Sequence, residues 1–363
     1  MKRGFLFLII TGMLLACDQQ ENKIEITPKD YHNAVDKLTE IIVHDIFSPV
    51  VASRIYAYPS IAAYEIIAKK GDKYKSVEGQ MKDYSPTPAP TSDRVNLDLA
   101  ALIAYMDVGR TLIFSEDKMV SYQDSLYKVW EGQNKKVFEE SKTYGLLVAQ
   151  HVKDWMDGDN YKQTRTMPKF TVKSDEVSRW QPTPPLYMDG IEPHWSKIRT
   201  FVLDSAAQFK TKPHPAFDMK ENSVFQKEVQ EVYKLGGGGP EREGEEVEIA
   251  KFWDCNPYMS TTKGHLMFAV KKISPGGHWI GICKIACEKS NADFDKTVYA
   301  YAKVSAAMFD GFISCWEEKY DSNLIRPETL INKTMDENWF PVLQTPPFRN
   351  TQVDIRWYLE QLQ

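Results

Sequence analysis

The chain has 363 residues, 42% hydrophobic and 26% charged, with a formal net charge of −5. That length allows one large helical domain or two ordinary ones with a real core, and the composition excludes extended disorder. The small negative balance excludes the global basic field that draws nucleic acid. Aromatics reach 12%, with 9 Trp and 18 Tyr, which suits either a large helical core or a stacking surface for sugars.

At the N-terminus, Lys2 and Arg3 precede an apolar run from Gly4 to Ala16, too short to span a bilayer comfortably. The run closes as Leu14-Leu15-Ala16-Cys17 before polar Asp18-Gln19-Gln20. This pattern reads as a lipoprotein signal over 1–16, with Cys17 as the lipidated first residue. An ordinary signal peptide or an amphipathic first helix is the plainer alternative. The reading predicts an exported protein of the cell envelope, held to the outer membrane through lipid on Cys17. Four cysteines remain, Cys255, Cys283, Cys287 and Cys315, with no zinc-type spacing, so no metal is expected and buried thiols are.

From Tyr31 the hydrophobic period is helical almost throughout. Ile41, Ile42, Ile46 and Val50 open a stripe that resumes at Ile55, Tyr58, Ala62 and Ile66. Asp83 to Asp93, with Pro86, Pro88 and Pro90, reads as a loop. Helices are predicted over about 95–114, 118–131 and 136–156. The stretch from Pro168 to Pro193 is irregular and rich in Pro and Trp, a loop long enough to carry function or to decorate the core. Gly236 to Gly239 reads as a helix stop and connector, since it lacks the ending of a phosphate-binding loop. The expected fold is an all-α helical bundle.

A helix predicted over about 293–320 carries the chemistry. Steps of seven link Val298, Ser305, Phe312, Lys319 and Arg326 on one face, so two cations continue the core-facing stripe. Buried cations are costly unless something anionic compensates them. Arg offers a planar fork for two oxygens and Lys a point charge, which together suit a small oxyanion. The plainer alternative is that Lys319 snorkels past the helix end while Arg326 pairs with Glu328 or Asp321.

Lys319-x6-Arg326-Pro327 resembles the first motif of the superfamily that unites type 2 phosphatidic acid phosphatases with vanadium-dependent haloperoxidases. Asp310-x-Phe312-Ile313-x2-Trp316-x2-Lys319-Tyr320 is similar to the bacterial haloperoxidase-like branch. Pro49-x4-Arg54-x2-Ala57 with Ala62-Ala63-Tyr64-Glu65 resembles its N-terminal helix pair. The resemblance runs over about 30–348 and implies an all-α bundle, vanadate as cofactor or phosphate as substrate group, and Lys319 and Arg326 on the oxyanion. It also implies a Pro-Ser-Gly-His motif, whose His attacks phosphorus or ligates vanadium, and a Ser-Arg-x5-His motif.

Neither motif follows here. After Thr345-Pro346-Pro347-Phe348 the chain reads Arg349-Asn350-Thr351-Gln352 and soon stops. With suitable codons, a one-nucleotide shift after Phe348 restores Ser-Gly-His at the place the family requires. The resulting expectation is a domain over 17–348, truncated by a frameshift, with its C-terminal core helices missing and an out-of-frame tail over 349–363. Such a chain would be inactive for lack of the catalytic histidines, with no cofactor assured.

Among the seven histidines, His278 in Pro275-Gly276-Gly277-His278-Trp279 could reach the oxyanion pocket, although a capping or packing role is the plainer reading. Two functions compete. The first is halide oxidation by peroxide or phosphomonoester hydrolysis on the oxyanion site. The second is a non-enzymatic envelope lipoprotein that binds glycans through its Trp- and Tyr-rich loops.

Overall fold

The computed structural model describes residues 23–347, apart from 240, 255, 257–259, 264, 265 and 270. The element order is α1 (Pro28–His44), α2 (Pro49–Ile67), α3 (Leu97–Arg110), α4 (Glu116–Gln133), α5 (Lys135–Asp157), α6 (Tyr161–Thr164), α7 (Val224–Gly236), α8 (Glu245–Trp253), β1 (Ser260–Lys263), β2 (Leu266–Ala269), α9 (Pro275–Lys289), α10 (Phe294–Ser322) and α11 (Pro327–Thr334).

The bundle is built around α2, every residue of which is buried. A helix apolar on all sides has no solvent face, so neighbours must cover it. Here α3 and α10 make the most extensive cover, and α5 packs against both α2 and α3. Entry into α2 follows from local chemistry: Ser48 Oγ accepts from the Val51 N–H at 3.3 Å, and Pro49 takes the position that needs no N–H. Asn96 caps α3 in the same way, and Asp293 caps α10 by accepting from the Lys296 N–H at 2.7 Å.

Close approach of α5 to α3 depends on Gly145, where an added Cβ would lie 2.7 Å from the Ala100 carbonyl oxygen and 3.2 Å from Ile103. Backbone cannot give way as a flexible side chain can. Gly145→Ala is therefore expected to destabilise the fold by about 1–3 kcal/mol, the usual range for overpacking, despite the better helix propensity of Ala. Urea denaturation that shows a gain in stability would contradict this account.

Loops are tied down by buried carboxylates. Glu65 accepts from Ser76 Oγ at 2.7 Å and from the Val77 N–H at 2.7 Å, and also from Thr87 Oγ1 at 2.5 Å. Asp310 accepts from the N–H groups of Phe201, Val202 and Leu203 at 2.6, 2.8 and 3.1 Å. Each bond gives a loop donor a charged acceptor, and those to Val77, Thr87 and Phe201 satisfy groups that are buried.

Two expectations are corrected. The C-terminal helices are not missing: α9, α10 and α11 run to Thr334, and α10 is a central element of the core through Val298, Phe309, Ile313 and Trp316. The all-α reading also omitted the antiparallel hairpin of β1 and β2, which pairs Ser260 with Ala269 and Lys263 with Leu266. Cys17, Cys255, Phe348 and the segment 349–363 lie outside the described residues, so the lipidation and tail readings have no structural counterpart here. No helix among the described residues is long and apolar enough to cross a membrane.

Candidate oxyanion site

Lys319 occupies the last turn of α10 and is only 2% exposed; Arg326 is the N-cap of α11 and 7% exposed. The sequence-derived stripe holds as far as Lys319. It does not carry on to Arg326 along one helix, because α10 stops at Ser322 and Asn323 turns left-handed at φ 48°. Asn tolerates that conformation better than most residues. Arg326 therefore stands at the start of a second element, α11. Phe312 sits at the edge of the packed face, and the fully buried positions are Phe309 and Ile313.

The irregular stretch 168–193 straps this corner. The Ile325 N–H donates to the Ser178 carbonyl at 2.9 Å, and the Trp180 N–H to the Asn323 carbonyl at 3.1 Å. A second strand of the strap ends on Ile191, whose carbonyl accepts from Trp316 Nε1 at 3.3 Å and Tyr320 Oη at 2.6 Å. Those residues flank Lys319 in α10, and the Lys319 ammonium lies 5.7 Å from the Trp316 ring centre. Gly190 is required beside them, since a Cβ there would stand 2.9 Å from Tyr320 Oη. From the C-terminal side, the Pro346 carbonyl accepts from Arg326 Nη2 at 3.5 Å.

Helix dipoles sharpen the electrostatics. Lys319 at the C-terminal end of α10 complements the negative end of that helix. Arg326 at the start of α11 adds a cation to a positive end, an arrangement that favours an anion close by. Asp321, one alternative partner for Arg326, instead pairs with Lys210. Glu328 does lie beside Arg326, is 5% exposed, and keeps its Oε2 buried without a hydrogen-bond partner. Burial is the main influence on this carboxyl and lifts it above its ordinary 4.5, against the hydrogen bond with Thr345 and the nearby Arg326 charge.

A raised carboxyl stabilises the fold below its ordinary value, and that contribution is lost as pH rises through the raised one. Glu328→Gln, which cannot ionise, should therefore exceed the parent in melting temperature at pH 8 and match it near about pH 4. The same difference at both pH values would show that ionisation plays no part.

His278 sits in the first turn of α9. Its neighbour Gly276 packs on Met308 and Phe312, with Met308 Sδ 2.9 Å from where a Cβ would be. Met308 precedes Lys319 by eleven residues, about 16 Å along the helix axis. No group of three or more metal-ligating side chains occurs among the described residues.

A separate buried network, which the sequence reading missed, lies behind the strap. Asp159 Oδ2 accepts from Arg54 Nε at 2.7 Å and Tyr58 Oη at 2.9 Å, while Oδ1 accepts from the Tyr161 N–H at 2.8 Å. Tyr161 stacks on Arg54 at 4.3 Å and on Arg165 at 4.5 Å, and Arg165 pairs with Glu192, next to Ile191. Arg54, the one basic residue of the wholly buried α2, was the available signal.

Fold and corner together define a largely helical bundle with two buried cations, Lys319 and Arg326, near the junction of α10 and α11. The chain is 56% identical to a structure described as the first bacterial vanadium-dependent iodoperoxidase, with a TM-score of 0.86, over 91% of this chain and 78% of that one. It belongs to the vanadium-dependent haloperoxidase family. The holo and apo forms of a bacterial vanadium-dependent chloroperoxidase share the fold, at 16% and 14% identity and TM-scores of 0.57 and 0.52. They cover 80% and 79% of this chain, each over 65% of its own length. No protein-family model and no curated protein matches the chain.

The extent of the iodoperoxidase match corrects two further expectations. Identity of 56% over 91% of the chain does not support a reading frame cut short of the family's body. The same match, to a haloperoxidase, lends no support to the lipoprotein and signal-peptide reading or to a lipid partner, and both are withdrawn.

Proposed function

We propose that Lys319 and Arg326 hold vanadate for the oxidation of iodide by hydrogen peroxide, the activity named for the relative at 56% identity. The carrying observation is the burial of both cations in one strapped corner. Their chemistry fits the group: Arg326 offers two parallel N–H donors to neighbouring oxygens, and Lys319 a point charge to another. Bound vanadate supplies the Lewis acidity that polarises peroxide. The protein's part is to neutralise the oxyanion, keep the two donors aimed at it, and exclude water with the 178–191 strap. Trp316 and Tyr320, fixed by the Ile191 carbonyl, hold the Lys319 end of α10 in place.

The 363 residues contain no Pro-Ser-Gly-His and no Ser-Arg-x5-His segment, the two histidine sources that the family resemblance implies. Lys319 and Arg326 are the part of the site assigned here, and they are expected to bind vanadate. Calorimetric titration with vanadate and with phosphate, beside a triiodide assay with iodide and peroxide, tests both halves. Saturable vanadate heat is expected, and iodide oxidation that depends on vanadate would support the activity. A flat titration refutes the site, and saturable heat with no triiodide above the blank refutes iodide oxidation by these 363 residues. Phosphate release from a phosphomonoester would favour hydrolysis over halide oxidation.

A further inference from the structure

Cys283 and Cys287 stand one turn apart in α9, and both are buried. They lie away from the oxyanion corner, close to Tyr301 of α10, which shares a 2.9 Å hydrogen bond with His32 of α1. Lys284 between them reaches out to Asp36 at 2.6 Å, so the two thiols share the inward side. In an α-helix, positions i and i+4 place their Cα atoms about 6.2 Å apart, inside the range a disulfide spans. Their Cβ atoms, about 5–6 Å apart in a regular helix, must approach to about 4 Å. Cys287 lies where that movement is easiest. Its carbonyl already accepts from the Ala292 N–H at 3.0 Å, outside the regular ladder, and Asn291 is left-handed at φ 48°.

We propose that Cys283 and Cys287 are a peroxide-oxidised dithiol, in which Cys287 reacts first and the pair then closes to a disulfide within α9. The hydrogen bond shared with Cys283 holds the Cys287 thiol down at about 7, against the effect of burial. That same bond, with burial, pushes Cys283 up. Of the two, Cys287 is the thiol that ionises more readily. Its sulfur attacks one peroxide oxygen, the O–O bond breaks, and hydroxide leaves, giving a sulfenic acid. The Cys283 sulfur then attacks the Cys287 sulfur, water leaves, and the S–S bond forms. Two thiols and one hydrogen peroxide give one disulfide and two waters. A disulfide bent into a helix end is strained, so a dithiol reductant should reverse it readily.

The test treats the whole chain with hydrogen peroxide, blocks remaining thiols with N-ethylmaleimide, and digests with trypsin. Cleavage at Lys284 separates the two cysteines unless a disulfide joins them. A linked peptide pair, lost on dithiothreitol treatment, is expected. In Cys283→Ser, dimedone should label Cys287, whereas in Cys287→Ser the remaining Cys283 should stay a thiol. Because serine variants can misfold, alkylation of the native chain is followed as well, and Cys287 should react with a midpoint near 7 rather than the ordinary 9.0. Two outcomes overturn the proposal: both cysteines remaining thiols while half-buried Cys315 is oxidised, or Cys283 taking the dimedone.

Discussion

Lys319→Ala and Arg326→Ala are each expected to weaken vanadate binding about a hundredfold. Losing one charge-assisted partner of a buried anion costs about 2–5 kcal/mol, and 1.4 kcal/mol is a factor of ten. Arg326→Lys keeps the charge but loses the planar fork, so a loss of roughly tenfold is expected. The two alanine effects should fall short of additive in the double variant, since both side chains serve one ligand. Calorimetry with vanadate and phosphate measures this directly, with circular dichroism to show that the helices remain. Parent-like affinity in either alanine variant would remove that residue from the site. Glu328→Gln offers a useful contrast, because it alters the charge beside Arg326 without removing a cation.

Asp159→Ala should be among the most damaging substitutions for stability, by about 3–5 kcal/mol. It leaves Arg54 buried without its carboxylate and removes the acceptor used by Tyr58 Oη and the Tyr161 N–H. Arg54→Ala should cost a similar amount for the converse reason. Replacing both, as in Arg54→Met with Asp159→Leu, should cost far less than the sum, because an apolar pair carries no desolvation penalty. Guanidinium denaturation of the four chains measures the three losses against the parent. If the single variants lose less than about 1 kcal/mol, solvent reaches the pair and it behaves as a surface salt bridge. Because Arg165, Glu192 and Ile191 connect this network to Tyr320, the single variants should also weaken vanadate binding modestly.

Most of the helices were legible without coordinates. The period placed a helix over about 293–320, and α10 runs from Phe294 to Ser322 behind an Asp293 cap. The proline-rich 83–93 loop and the glycine stop at 236–239 were equally plain, because Pro and Gly act on the backbone locally. Burial of Lys319 followed from the same periodicity. That arithmetic failed at Arg326, because it assumed one continuous helix where Asn323 reverses the chain. The hairpin of β1 and β2 escaped for a related reason: two four-residue strands are too short for a period to register.

Composition and periodicity by themselves determined the helical class, the main helix spans and the inward placement of Lys319, all of which rest on neighbours a few residues apart. Only the tertiary structure decided that Arg326 lies beyond the end of α10, at the N-cap of α11. It also revealed that the 178–191 strap fixes the lysine end of α10, and that Arg54 answers to Asp159 across 105 residues. Those facts depend on which distant groups satisfy one another's charge and hydrogen bonds once water has been removed, and no local pattern encodes that pairing.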